Sequence, residues 1–362
     1  MRKLATGIAV AGIVAAGLLA LRPVASQGNK VVLGESAVNQ VREVAPGVYF
    51  HEGDLHGHGH CNNGFIVFDD YVLVVDANFP SGAQEIIPKI RAVTDKPIRF
   101  AFDTHHHGDH AYGNQIWADI GAIPVAHTGV IEEMKKYETG YYGNKPGRWE
   151  EAAKTRPDVA ATKLKPPTLL FPDQLIFDDG KHRVELHYLG VSHTHGDAWA
   201  WLPKEKILFS GDACVNGPFN YTGDGDIRAW LKTLENAQKL GAKVVCPGHG
   251  PVADGTLLAD QHMFFSEVLA GARKLPKRDS SAAAKGVDGI KEALLKNNQI
   301  KRYVGEFFPA QVEKAYVELG GMPFPPKMDA TAAARRDHAR EHMLTLLPAS
   351  PARKFRPLAK SR

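Results

Sequence analysis

From Val41 onward, apolar residues recur with two different periods. GVYFHEG (47–53), GFIVF (64–68) and YVLVVDA (71–77) are β-branched or aromatic runs broken by polar turns, the pattern of antiparallel strands. GAQEIIPKIRAV (82–93) spaces its apolar residues three and four apart, which predicts a helix. IRFAFDT (98–104) returns to strand, and a short helix is expected near 113–120. IPVAH (123–127) is again a strand, and a helix runs through VIEEMKKY (130–137). Residues 140–168, rich in Gly, Pro, Lys and Tyr, read as a long surface excursion. LIFDD, HRVELHYLG, AWAWLP and KILFSGD supply strand signals between 175 and 212. DIRAWLKTLENAQKL (226–240) is an amphipathic helix and KVVCPGH (243–249) a last apolar strand. Strands in runs with interspersed helices predict an α/β protein of layered sheets covered by helices. Past about residue 256 the strand signals stop. LLADQHMFFSEVLAGARKL, GIKEALLKNN and PAQVEKAYVELGG predict a helical appendage, closed by the Pro-rich MPFPPK.

The N-terminal residues follow another pattern. Met1, Arg2 and Lys3 precede an apolar, Ala/Gly-rich run from Leu4 to Leu21, and Val24-Ala25-Ser26 offers small residues for cleavage. This is the layout of a secretory signal peptide, so residues 1–26 are expected to be removed on export to the periplasm or beyond. Left uncleaved, the run could just span a thin bilayer, and that is the one route to a membrane. The expected division is signal peptide 1–26, extended arm 27–40, layered α/β domain 41–255, helical appendage 256–350 and basic tail 351–362.

Charge changes the picture little. The formal +4 loses Arg2, Lys3 and Arg22 with the signal. The tail carries Arg353, Lys354, Arg356, Lys360 and Arg362 without an acid, so the body is mildly acidic and offers nucleic acid no footprint. Three cysteines, Cys61, Cys214 and Cys246, do not make a disulfide framework; one bridge or three free thiols fit the count. The sequence sets no oligomeric state.

The chemistry is concentrated in THHHGDH, residues 104–110. His and Asp are ligands of divalent zinc. H-x-H-x-D-H puts His105 and His107 on one side of an extended turn and turns Asp109 and His110 elsewhere. Two ligand sets from one loop suit a two-metal centre. Three more ligand types close apolar strands beside small residues: His193 after YLGVS, Asp212 after ILFSG and His249 after VVCPG. An internal echo joins them, since THHHGD (104–109) is matched by SHTHGD (192–197) and suggests two similar halves meeting at one edge.

Taken together, THHHGDH, SHTHGDAWAWLP, LFSGD and PGHG resemble the metallo-β-lactamase-fold hydrolase superfamily in order and spacing, over about residues 41–255. The resemblance implies a four-layer αβ/βα sandwich with metals at one edge of two facing sheets. Carried over by position, it implies that His105, His107 and His193 hold a first zinc. Asp109, His110 and His249 would hold a second, with Asp212 bridging both. Asp76, in VVDA, falls where the family keeps a buried acid that orients a ligand. His106, His195 and Asp197 are excluded as ligands, Asp197 being read as a structural hydrogen-bonding residue. Histidine at 107, where iron-binding flavodiiron relatives carry glutamate, favours zinc over iron.

The implied activity is that of an exported dinuclear zinc hydrolase. A metal-bound hydroxide would attack a small ester, thioester, lactone or lactam, and Asp109 would orient the nucleophile and shuttle its proton. β-Lactamase action proper is an alternative, although subclasses the chain resembles carry cysteine or serine where Asp212 stands, and one carries lysine where Val215 stands. Glyoxalase II, a relative with a bridging aspartate and a helical C-terminal region, acts on a glutathione substrate that fits poorly with an export signal. A mononuclear-iron sulfur dioxygenase and a non-catalytic metal-binding protein are the other readings. HEGDLHGHGHCNN (51–63), with His51, His56, His58 and His60, reads as a flexible loop beside the cleft, with an accessory metal site as its alternative. Cys214 is not expected at the metals, and Cys246 reads as core. Asn216, Phe219, Tyr221 and Trp230 follow the bridging aspartate, where the family builds substrate loops, and Asn114 is read as a helix cap.

Overall fold

The computed structural model describes residues 32–325. The segments read as signal (1–26) and basic tail (351–362), and the outer parts of the arm and appendage, lie outside the described residues. The chain forms two mixed sheets. In the first, β1 (Val41–Ala45), β2 (Val48–His51), β3 (Asn63–Val67), β4 (Val72–Val75), β5 (Ile98–Asp103), β6 (Ile123–His127) and β7 (Leu169–Phe171) lie side by side in chain order. β1 to β4 pair antiparallel, and β4 to β7 pair parallel. The second sheet holds β8 (Gln174–Asp178), β9 (Arg183–His187), β10 (Trp199–Leu202), β11 (Ile207–Gly211), β12 (Val244–Pro247) and β13 (Ala253–Asp254), again adjacent in order. Only β11 and β12 run parallel there.

Side chains alternate across each strand, and that splits the apolar residues among four cores, three of which carry most of them. Leu73 and Val75 of β4, Phe102 of β5, Ala200 and Leu202 of β10 and Phe209 of β11 fill the space between the sheets. Val72 and Val74 face outward on the first sheet, against Ala83, Ile86 and Ile90 of the helix Pro80–Val93 and Trp117 of the helix Asn114–Asp119. Trp199, Trp201, Leu208 and Val245 face outward on the second. There they meet the helix Ile227–Gln238 together with Thr256–Ala272, Val287–Leu295 and Phe308–Glu318. The result is four layers, helices–sheet–sheet–helices, and the C-terminal helices share the outer core of the second sheet. Among the described residues no helix is long and apolar enough to cross a membrane.

The region 140–168 is not merely a surface excursion. It contains two helices, Arg148–Thr155 and Pro157–Ala160, and it leads into β7, a strand the pattern did not reveal. Val159 is fully buried against the first sheet's helices. All three cysteines are free and buried; Cys214 packs in the outer core and Cys246 between the sheets.

Candidate metal centre

The C-terminal ends of β11 and β12, which are parallel, meet at one edge with the segment entering β10, which is antiparallel to β11. Gly211 ends β11 at φ +49, and a Cβ there would lie 2.2 Å from Thr104 Oγ1. Only glycine serves in so close a left-handed turn, and the turn aims Asp212 into the cleft. A Cβ on Gly248 would stand 2.1 Å from Asp212 Oδ1, so the loops carrying Asp212 and His249 cross in contact. Gly248 N donates to Gly211 O at 2.9 Å. From the facing sheet, β5 ends at Asp103, and the loop 104–107 leads into a single helical turn, Gly108–Ala111.

These loops bring all seven expected donors together in two adjoining groups. His105, His107 and His193 form one, with donor atoms within 4.8 Å of each other, and Asp109, His110, Asp212 and His249 form the other. His193 Nδ1 donates to Tyr221 O at 2.8 Å, which leaves its Nε2 facing His107 Nδ1 at 2.8 Å. Asp212 lies between the groups: its carboxylate is 3.7 Å from His193 Nε2, 3.4 Å from His110 Nε2 and 3.3 Å from His249 Nε2. Asp76 Oδ2 stands 3.0 Å behind His110 Nδ1. All are buried apart from Asp109, which is partly open to solvent.

The donors fit divalent cations. His105 Nε2 is buried without a hydrogen-bond partner, and His110 Nε2, His249 Nε2 and Asp212 Oδ1, equally buried, meet only one another and Asp109 at 3.0–3.4 Å without hydrogen-bond geometry. Each such atom costs about 1–3 kcal/mol unless something ligates it, and four converging on one space call for a cation. The electrostatics differ between the two groups. Burial, reinforced by the neighbouring imidazoles, holds His105 and His107 well below the usual histidine range, so both keep neutral lone pairs. Burial opposes protonation of His249, but Asp212 and Asp109 outweigh it and push it up to about 9. Burial likewise opposes ionisation of Asp109 and Asp212, yet His110 and His249 hold both well below the carboxylate range. Burial opposes protonation of His110 as well, yet Cys61 and the carboxylates of Asp76, Asp109 and Asp212 hold it well above the usual histidine range. The second group is thus a tight imidazole–carboxylate cluster, whereas His105 and His107 are neutral nitrogens.

The sequence model of the metallo-beta-lactamase superfamily matches residues 45–249, more than half of the chain. The chain belongs to the metallo-beta-lactamase superfamily. A metallo-beta-lactamase type 2 from Elizabethkingia meningoseptica is 24% identical over 220 residues, 57% of this chain and 76% of that protein. The type 2 enzyme of Bacteroides fragilis is 30% identical over 123 residues, 32% of this chain; the chain spans about half of that relative's length, 49%. Among solved structures, the metallo-beta-lactamase from Pontibacter korlensis superposes with a TM-score of 0.51 at 20% identity, covering 63% of this chain and 98% of that one.

Within this superfamily fold the remaining histidines separate cleanly. His106 points out of both groups: its Nδ1 meets Tyr137 OH at 2.9 Å and its Nε2 faces Glu133 at 3.3 Å. His195 is largely exposed, and Asp197 braces its own loop through Ser192 Oγ, Thr194 N and Thr194 Oγ1 at 2.5–2.7 Å. The histidine-rich stretch does not form one site. His51 and His60 are buried, His51 against Lys89 at 2.9 Å and His60 against Ser81 at 2.8 Å, while His56 and His58 are exposed. Asn114 does not cap its helix; Gly113 takes the N-cap position and Asn114 Nδ2 donates to the buried Asp103 at 2.6 Å. Beyond Asp212, Phe219 sets its ring edge-on to His249, centroids 4.5 Å apart, and Trp230 is core, its Nε1 donating to Ala213 O at 2.8 Å.

Four contributors escaped the sequence reading. Phe307, from the C-terminal helical region, packs on Phe219 and Tyr221 at 5.2 and 6.1 Å and so walls the site. Cys61 comes within 4.8 Å of Asp76 and His110 donors. Asp224 accepts from His107 Nε2 at 2.9 Å, and Arg148 clasps Asp224 in turn at 2.7 and 2.9 Å. The only sequence signal for Asp224 is its setting between Gly223 and Gly225, where a side chain in a tight loop can be aimed inward.

Proposed function

We propose that the chain is an exported hydrolase that holds two zinc ions and cleaves a small ester, thioester, lactone or lactam. The observation that carries this reading is the position of Asp212 between two complete donor groups. His105, His107 and His193 would hold one ion, Asp109, His110 and His249 the other, and Asp212 both. Three imidazoles in the first group and mixed imidazole–carboxylate in the second suit zinc. Bound there, the ions supply Lewis acidity and a water acidified towards neutrality. Asp109, the donor nearest solvent, orients the attacking water and passes its proton to the leaving group. Phe219, Tyr221 and Phe307 present apolar surface on one side of the donors and exclude water there.

Export rests on the N-terminal pattern, and the segment boundaries at 26, 40, 255 and 350 belong to the same proposal. The relatives' names make a lactam one of the first substrates to assay. The test is the metal content of protein purified without added metal, followed by turnover on ester, thioester, lactone and lactam panels, with Asp109→Asn as control. Two zinc ions per chain and a rate lost in the variant support the reading. One iron with oxygen consumption, or two zinc ions with no turnover on any panel, overturns it.

A further inference from the structure

Behind the first donor group lies a buried charged network that the hydrolase reading does not use. His107 has two ring nitrogens, and Nε2, the one turned away from His193, donates to Asp224 Oδ2 at 2.9 Å. That oxygen also accepts from Arg148 Nη1 at 2.7 Å, while Oδ1 accepts from Arg148 Nη2 at 2.9 Å and from Lys136 Nζ at 3.0 Å. Asp224 and Arg148 have side chains only 2% and 10% exposed, so this pair is inside the protein. Lys136 also pairs with Glu133, which faces His106.

The chain is built to deliver Arg148 to this point. It is the first residue of the helix Arg148–Thr155, and Gly147 precedes it. A Cβ on Gly147 would stand 2.3 Å from Tyr137 O, so only glycine lets the excursion lie flat on the backbone at 137–138. Tyr142 OH accepts from Arg148 Nε at 3.3 Å, and the guanidinium carbon lies 6.0 Å from the Tyr137 ring centroid. A region with the composition of a surface loop thus sends a guanidinium into the wall of the metal centre.

We propose that Arg148 is a positioning residue for the first metal group, acting through Asp224 on His107. The inference rests on the dinuclear reading above. A carboxylate held by one hydrogen bond can swing about its Cβ–Cγ bond; a guanidinium fork fixes its plane. With the plane fixed, Oδ2 accepts from His107 in one direction only, and the imidazole presents Nδ1 to the space shared with His105 and His193. Lys136 is a point charge and cannot fix that plane.

The test titrates cobalt(II) into the metal-free full chain, follows its visible absorption, and measures zinc affinity by chelator competition. Wild type is expected to take up two ions. Arg148→Met is expected to weaken the first-group ion by about 10–100-fold and to alter its cobalt spectrum, leaving the second ion as in wild type. Arg148→Lys keeps the charge without the fork and is expected to lose about 10-fold; it carries the test should circular dichroism show Arg148→Met unfolded. Two ions of wild-type affinity and spectrum in the folded variants overturn this inference alone. A wild-type chain that takes up no cobalt overturns the metal reading and the inference with it.

Discussion

Asp76 holds His110 from behind, its Oδ2 lying 3.0 Å from the ring Nδ1. The same carboxylate accepts through Oδ1 from Thr104 N at 2.9 Å and Thr104 Oγ1 at 2.8 Å. One side chain therefore fixes both ends of the THHHGDH loop. It does so from a left-handed backbone, φ +67, that costs a non-glycine residue about 1–2 kcal/mol. Asn63 Nδ2 braces that conformation by donating to Asp76 O at 2.6 Å. Asp76→Ala is expected to weaken metal binding at the second group by about 10–100-fold, read by zinc competition. Unchanged affinity would show that the backbone alone places His110.

His106 and His107 are neighbours with opposite roles, and a paired substitution separates them. His106→Gln is expected to retain two metal ions per chain. It should lower stability by about 1–3 kcal/mol, because Glu133 and Tyr137 lose a buried partner. His107→Gln is expected to lose an ion. Metal analysis and a urea melt of both variants decide the matter; loss of metal from the His106 variant contradicts the assignment.

His51 gives the fold a pH dependence that involves none of the seven donors. Burial, and then the adjacent Lys89 ammonium, push it from the ordinary 6.5 down to about 3. The folded chain keeps this imidazole neutral, whereas the unfolded chain protonates it below 6.5. Stability from His51 is therefore complete above that value and declines as pH falls towards 3. Its share of the loss is about 2 kcal/mol by pH 5. The drop in urea midpoint between about pH 7.5 and about pH 5 should be smaller in His51→Gln; an equal drop sinks the assignment.

Metal removal should act on the whole sandwich. A ligand that binds only the folded chain stabilises it by about 4 kcal/mol at a thousandfold excess over Kd. Chelator treatment is expected to lower the thermal midpoint, and zinc to restore it in a concentration-dependent way. A midpoint indifferent to zinc argues against binding at the seven donors.

Much of this was readable before the fold. Residues that close apolar strands beside glycine, such as Asp212 after Gly211 and His249 after Gly248, betray themselves because sharp turns and polar ends are local properties. His106 could be set aside because alternate residues of an extended turn face opposite ways. Most strands were readable from β-branched and aromatic runs, but their order in two ladders and the parallel pairing from Val72–Val75 to Leu169–Phe171 were not. What stayed hidden was whatever depends on a distant contact. Arg148 sits in a Gly- and Lys-rich stretch with the composition of a loop, and nothing local reveals that its guanidinium finds Asp224. The strand Leu169–Phe171 has an ordinary apolar triplet and exists only because Ile123–His127 offers it an edge. Asn114 looked like a cap from its neighbours, but a buried carboxylate at Asp103 claims its side chain.

Four of the seven donors leave the first sheet and three leave the second, and among the described residues no strand ladder joins the two layers. A cation seated across them would be a rivet through the sandwich. Its hole does not exist in either half and opens only when both have folded and docked. An ion held there would bind the docked sandwich and not its separate halves, so the edge that gathers the donors is also where the two layers would be tied together.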